Sequence, residues 1–324
     1  MKKIVTIGGG SGQFVLLSGL RDLKGINITA VVAMSDSGGS SGKLRDELGV
    51  LPPGDILKCS IALSPYRELA RKILQTRFKA FNRLNGHVAG NLFLSILGQY
   101  GGSFPAGIKA LGETLEIKGK VLPVSLTKST LVAELSSGRR LYGETAIDIP
   151  REKKRGKEKI EKIYLVSQNS GSIKVYPPVL AAIKSADCII IGPGDIYTSI
   201  MPNFLVKGVV EAIKKARGKV VYIMNIMTKF GETDGFGVED FIKTIEDKIK
   251  RKLDYVLINS ARPNSRLIKK YSKKNAEFVK IDKDLKKQNK KLIISDFLSV
   301  KGELARHDSE KTAKAIARII KQHL

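Results

Sequence analysis

The stretch "KKIVTIGGGSGQFVLLSGLRDL" (residues 2–23) decides how the fold is read. A continuous apolar run ends at Ile7, and Gly8, Gly9, Gly10, Ser11 and Gly12 follow before a helical period opens around Phe14–Leu20. A strand without polar alternation suits burial on both faces, as in a parallel sheet. Glycines at its end let backbone N–H groups approach an anion closely, and the helix N-terminus adds its positive dipole end. The match to G-x-G-x-x-G is poor, because Gln13 or Val15 falls at the third glycine position, and no lysine completes a Walker loop. A tight turn that needs small residues is one reading. A phosphate-cradling loop is the stronger one, since turns alone seldom need four glycines in five residues.

The same arrangement recurs along the chain in "INITAVVAM" (26–34), "CIIIG" (188–192), "KVVYIMN" (219–225) and "DYVLIN" (254–259). Alternation of such runs with helical periods predicts an α/β fold, a Rossmann-like doubly wound and mostly parallel sheet with helices on both faces. Residues 1–324 read as a single domain with a mostly β insertion at about 100–175, which contains "IKGKVLPVSL" (117–126) and a hairpin "LVAELSSGRRLYGET" (131–145) turning at Ser137-Gly138. The charged run 151–162 reads as a flexible loop of that insertion, with a short exposed helix as the alternative. No solenoid repeat is present.

With 42% hydrophobic residues in 324, the chain can bury a sizeable core and is not of the disordered class. Its start is too short in apolar residues for a signal peptide or a membrane span, so a cytoplasmic protein without a membrane partner is expected. Cys59 and Cys188 stand apart, and His87, His307 and His323 add no zinc spacing. The net charge of +26 favours polyanionic ligands, yet the lysines are dispersed over runs such as "REKKRGKEKIEK" (151–162), "KTIEDKIKRK" (243–252) and "KDLKKQNKK" (283–291). A solvated basic surface is expected there, and no specific nucleic-acid partner.

Four further segments carry chemistry. "SDSGGSSGKLRDELGVLPPGD" (35–55) reads as a long polar loop wrapped around a ligand. In it Lys43 and Arg45 would neutralise a diphosphate, Ser40 and Ser41 would donate hydrogen bonds, and Asp36 or Asp55 could hold a hydrated Mg2+. "IGPGDIYTSI" (191–200) repeats the glycine logic with Gly192, Gly194 and Asp195, and "NIMTKFGET" (225–233) offers Asn225 and Thr228 to a base or sugar, or simply to a capped turn. "GHVAGNLFLSIL" (86–97) places His87 and Asn91 at a helix start, where a structural and a functional histidine are equally served. Ligands bind at the carboxyl ends of strands in such sheets, so Gly8–Gly12, Ser40–Arg45, Asp55, Asn91 and Gly192–Asp195 are expected to line one cleft.

With those residues in view, the sequence resembles the CofD/YvcK-like family over nearly its whole length, through "GGGSG", "DSGGSSGKLRDELGVLPPGD", "GHVAGNLFL", "IGPGDIYTSIMPNFLV", "NIMTKFGET" and the final "RHD" (306–308). The "GGSSGKLR", "LPPGD" and "GPGDIYTSIMPN" blocks are closer to the YvcK branch. For that branch the resemblance implies a Rossmann-like fold that binds UDP-sugars, notably UDP-N-acetylglucosamine, and acts in carbon partitioning and cell-envelope or cell-shape control. It also implies that Tyr271 and Arg306 take part in UDP-sugar binding. For the other branch it implies Mg2+-assisted transfer of a phospholactyl-type group from a guanosine diphosphate donor to a deazaflavin. The chain departs from the family's pattern at Asp36-Ser37, where paired aspartates are usual, and at Leu57-Lys58-Cys59, where an arginine-asparagine-cysteine run is usual. Losing a carboxylate weakens metal-assisted transfer more than sugar-nucleotide binding. An aromatic content of 6% without tryptophan also offers little for a deazaflavin slot. The leading expectation is therefore a binding or regulatory protein, with the transferase as the alternative, no certain cofactor, and a homodimer left open.

Overall fold

The computed structural model describes residues 1–79, 84–148, 158–168, 171–281, 291–299 and 303–323. Its strands are β1 (Lys2–Gly8), β2 (Ile26–Val32), β3 (Lys120–Pro123), β4 (Ser129–Leu135), β5 (Arg140–Tyr142), β6 (Ile160–Ser167), β7 (Cys188–Ile191), β8 (Lys219–Ile223), β9 (Tyr255–Asn259) and β10 (Leu292–Ser295). Its helices are α1 (Gly10–Leu20), α2 (Gly39–Leu48), α3 (Gly54–Leu63), α4 (Arg67–Leu74), α5 (Ala89–Tyr100), α6 (Phe104–Thr114), α7 (Glu144–Asp148), α8 (Pro177–Ser185), α9 (Met201–Phe204), α10 (Val209–Lys215), α11 (Val238–Ile249), α12 (Ser265–Ser272) and α13 (Ser309–His323), with a π-helical turn over Ile196–Ile200.

Among the described residues the main sheet has seven strands in the order β10-β9-β8-β7-β1-β2-β3. Every pairing in it is parallel. The apolar runs supply its centre: Ile4, Ile7, Val31, Ile190 and Val221 are buried, as a strand covered on both faces requires. One set of helices packs α1 against α3 and α13, and the other packs α10 against α8 and α11. The chain thus winds one way from β1 through β2 to β3 and the other way from β7 to β10. The reversal lies between β1 and β7, where ligands bind in sheets of this kind.

A three-stranded antiparallel sheet, β5-β4-β6, stands apart from the main one. The turn at Ser137-Gly138 joins β4 to β5, with Gly138 at φ +81° as a tight hairpin needs. Leu131 and Ala133 of β4 and Ile147 of α7 form its small core. Within the stretch 100–175, residues 104–114 are helical, β3 joins the edge of the main sheet, and the antiparallel unit spans 129–167. Residues 151–157 of the charged run lie outside the described residues, and from Ile160 the run is strand β6.

The polar segment 35–55 is not one loop. Residues 39–48 form α2, whose Leu44 is buried, and Gly49 ends it in the left-handed region at φ 61°. Helix α3 begins five residues later with Gly54. The two glycines and two serines that open α2 conceal it from propensity, but packing of Ser40, Ser41 and Leu44 against the body outweighs that local preference. Among the described residues no helix is long and apolar enough to cross a membrane.

Candidate functional site

A cleft of about 890 Å3 opens at the carboxyl edge of the main sheet, over the reversal between β1 and β7. Its floor is the glycine turn at the start of α1. Gly9, Gly10, Ser11 and Gly12 face the cleft, and the turn leaving β7 meets them there through Pro193, Gly194 and Asp195. The approach is so close that a methyl group at Gly12 would overlap the Pro193 carbonyl, whose carbon would lie 2.7 Å away. Asn203 ties the two turns together, its Nδ2 donating to the carbonyls of Gly8 (3.1 Å), Ser199 (3.1 Å) and Ile200 (3.2 Å). Gln13, which spoils the dinucleotide fingerprint, turns inward instead, with Nε2 donating to Thr6 Oγ1 (3.0 Å) and the Val31 carbonyl (3.1 Å). It pins the mouth of β1 to β2.

The acidic wall comes from the segment that follows β2, from α3 and from α7. Asp55, in the first turn of α3, accepts the Gly10 N–H at 2.7 Å on Oδ2 and the Lys58 ammonium at 2.9 Å on Oδ1. Asp36 accepts the Gly38 N–H at 2.9 Å, and burial, then the neighbouring Asp55 charge, raises its pKa. Glu144 is pushed up to about 8, first by burial and then by the charges of Asp36 and Asp148. A protonated Glu144 at neutral pH can donate a hydrogen bond to an anion where an ionised one would repel it.

Lys229 organises a second wall. Its ammonium donates to Asp195 (2.6 Å) and to Asp148, and it pairs with Glu232 at 3.2 Å. Burial works against that charge, but the three carboxylates outweigh it and raise the lysine pKa. Glu232 is pushed up to about 7, chiefly by its own burial, and accepts from the Tyr197 N–H (3.2 Å) and the Thr198 hydroxyl (3.4 Å). Because Asp148 belongs to α7, this cluster also fastens the antiparallel unit to the main sheet. Carboxylate oxygens of Asp148, Asp195 and Glu232 lie within 4.8 Å of one another, with the lysine bonded to all three.

The basic wall is built from Lys273 and Lys274, just beyond α12, and Arg306. Tyr271 holds it together: its hydroxyl accepts the Ala305 N–H at 3.1 Å, and its ring packs among Ile226, Met227 and Leu298. Asn225 and His307 complete the lining. Burial lowers the His307 pKa to about 4 despite a bond to the Met224 backbone, so its ring is neutral. His307 Nε2 and Asn225 Oδ1 are buried without a partner among the described residues. Thr228 borders the cleft too, but its hydroxyl is taken by the Glu277 N–H at 2.8 Å, so it serves as a capped turn.

Of the residues singled out in the sequence, Gly9–Gly12, Asp36, Asp55, Gly194, Asp195, Asn225, Thr228, Tyr271 and Arg306 meet in this cleft. Gly8, Ser40, Ser41, Lys43, Arg45, His87, Asn91 and Gly192 do not line it. Ser40 accepts the Val88 N–H at 3.0 Å and lies 3.5 Å from His87 Nδ1, while Ser41 accepts from Gly54 N–H (3.1 Å) and Asn91 Nδ2 (3.4 Å). This buried polar seam seats α2 on α5 and fixes the backbone next to Asp55. Lys43 instead donates to the Asn85 carbonyl at 3.3 Å, and Arg45 pairs with Asp46 at 2.9 Å. Helix formation turns both cations away, and Lys58, Lys229, Lys273 and Lys274 stand in the cleft in their place. Sequence reasoning missed the roles of these lysines, Glu144 and Glu232, although Lys58 follows Asp55 by one helical turn and Lys229 lies inside a quoted motif.

The Asp36 and Asp55 pair does not suit a resident divalent cation. Both Asp55 oxygens are engaged, one by an ammonium, so a metal would have to displace Lys58, and burial beside Asp55 raises the Asp36 pKa and so works against its charged form.

The family described as 2-phospho-L-lactate transferase CofD matches residues 4–298. A Thermotoga maritima protein that carries the gluconeogenesis-factor name in provisional form is 42% identical over 323 residues, covering 98% of this chain and 99% of that one. The gluconeogenesis factor of Listeria innocua is 38% identical over 98% of this chain and 95% of its own length. The crystal structure of a Bacillus halodurans protein superposes with a TM-score of 0.89 at 38% identity, covering 98% of this chain and 99% of that chain.

Proposed function

The chain belongs to the CofD family, and from that membership we propose that it is a nucleotide-sugar-binding regulatory protein of the YvcK-like gluconeogenesis-factor type. The observation that carries this reading is the meeting of two strand-end turns, Gly9–Gly12 and Pro193–Asp195, beneath a cleft large enough for a sugar nucleotide. The dipole end of α1 favours the diphosphate there, and protonated Glu144 donates to it. The lysines and Arg306 of the opposite wall favour an extended anionic ligand such as UDP-N-acetylglucosamine. A cytoplasmic role in carbon partitioning and cell-envelope or cell-shape control follows as part of the same proposal.

The transferase alternative needs a cation to offset charge on the leaving diphosphate and a base beside the attacking hydroxyl. Lys58 already neutralises Asp55, and His87 lies outside the cleft, so both requirements are poorly served. Calorimetric titration should give saturable UDP-N-acetylglucosamine binding, and chromatography after prolonged incubation should return the ligand intact. A guanosine diphosphate donor with a deazaflavin acceptor should likewise be left unconsumed. Metal-dependent turnover that disappears in Asp55→Asn would overturn the regulatory reading.

A further inference from the structure

Lys58 stands where a metal ion would have to stand. It follows Asp55 by one turn of α3, so both side chains leave the helix toward the cleft, and its ammonium donates to Asp55 Oδ1 at 2.9 Å. The other oxygen of that carboxylate accepts the Gly10 N–H at 2.7 Å. One carboxylate group therefore fixes the ammonium beside the start of α1. The Asp55 side chain is 15% exposed and that of Lys58 is 37% exposed, which leaves the remaining donors of the ammonium open to the cleft. The Asp55 charge outweighs burial and, with Asp36, raises the lysine pKa, so the group stays charged through the neutral range.

We propose that Lys58 is the resident cation of this site, bridging Asp55 and the diphosphate of the ligand, so that the chain binds its ligand without a metal. The proposal rests on the nucleotide-sugar reading and says how its phosphates are held. A Mg2+ would join a carboxylate to a phosphate through oxygen ligands on both sides. An ammonium does the same with N–H donors and one unit of charge. Without that charge, Asp55 and the diphosphate would meet as like charges. The other cations of the cleft are less suited. Lys229 is bonded to three carboxylates, which use all three of its donors. Lys273, Lys274 and Arg306 belong to the opposite wall.

Titration calorimetry with UDP-N-acetylglucosamine, in chelator and in millimolar Mg2+, tests this. The parent affinities should agree within about twofold, because no ion enters the contact. Lys58→Asn should lose about tenfold or more in chelator and recover part of it in Mg2+, since Asp55 Oδ1 is then free to take the ion. Lys58→Arg keeps a cation and should remain independent of metal. Should Lys58→Asn fail to fold, Lys58→Gln keeps more of the stem and takes its place. Mn2+ alone, followed by electron paramagnetic resonance, needs no nucleotide. At sub-millimolar Mn2+, Lys58→Asn should gain a site that the parent lacks and that a further Asp55→Asn removes. A parent that requires Mg2+ for the ligand, or that already binds Mn2+ in a manner abolished by Asp55→Asn, overturns the inference. So does a Lys58→Asn chain with parental affinity in chelator. A parent that binds no sugar nucleotide in either condition overturns the functional reading instead, and the same comparison made with inorganic pyrophosphate and with Mn2+ then decides the role of Lys58.

Discussion

Glu144 shows how a single side chain in the cleft responds to pH. Its ordinary pKa is 4.5 and its folded value about 8, with burial as the main cause. Between those values the folded chain holds a proton that the unfolded chain has released, so raising the pH through this window draws the equilibrium toward unfolding. The stability associated with protonated Glu144 is thus complete below about pH 4.5 and lost as the pH passes 8. Glu144→Gln, which mimics the protonated form, should flatten the melting-temperature profile and exceed the parent at the alkaline end by on the order of 2 kcal/mol. Sugar-nucleotide affinity should also fall above pH 8 in the parent and less so in the variant, as followed by titration at a series of pH values. None of this was visible in the sequence, where Glu144 is one polar residue at the end of a hairpin; burial, and then the charges of Asp36 and Asp148, make it unusual.

Between elements, the informative link is the one from α12 to the segment that carries Arg306. The resemblance implies that Tyr271 binds the ligand. In the structure its hydroxyl holds the Ala305 N–H, one residue before Arg306, while its ring fills a small apolar cluster. Tyr271→Phe keeps the ring and removes the acceptor. Thermal unfolding should show a loss of about 1 kcal/mol, the usual cost of one such bond. Ligand affinity should fall severalfold because Arg306 is less firmly placed. Combining the change with Arg306→Ala should then be no worse than Arg306→Ala alone, since both act through the same guanidinium. Fully additive losses in titration calorimetry would instead mean that Tyr271 contacts the ligand itself. Helix α2 carries the complementary lesson: its glycines and serines read as a loop, and only its seat on α5 makes it a helix that turns Lys43 and Arg45 away from the cleft.

Over the whole molecule, the +26 charge acts through its field more than through any one contact. Association of an anionic sugar nucleotide should slow by on the order of tenfold as salt rises from about 0.05 to 0.5 M, because the screening length shrinks to a few Å. Dissociation should change far less, since it reports contacts inside the cleft; stopped-flow measurements at several ionic strengths separate the two. The apolar runs, the glycine turns and their order along the chain were enough to determine a doubly wound parallel sheet with two glycine turns meeting in a cleft at its carboxyl edge. Periodicity and turn chemistry are local properties, and each run carries its own signal. Which charges face the cleft was decided only in three dimensions. Lys229 and Glu232, three residues apart, meet Asp148 and Asp195 from two other parts of the chain, and the polar seam of Ser40, Ser41 and Asn91 supports Asp55 without touching the cleft. Side-chain direction, burial and the sign of a pKa shift depend on partners distant in sequence, and those exist only once the sheet and its helices have closed around them.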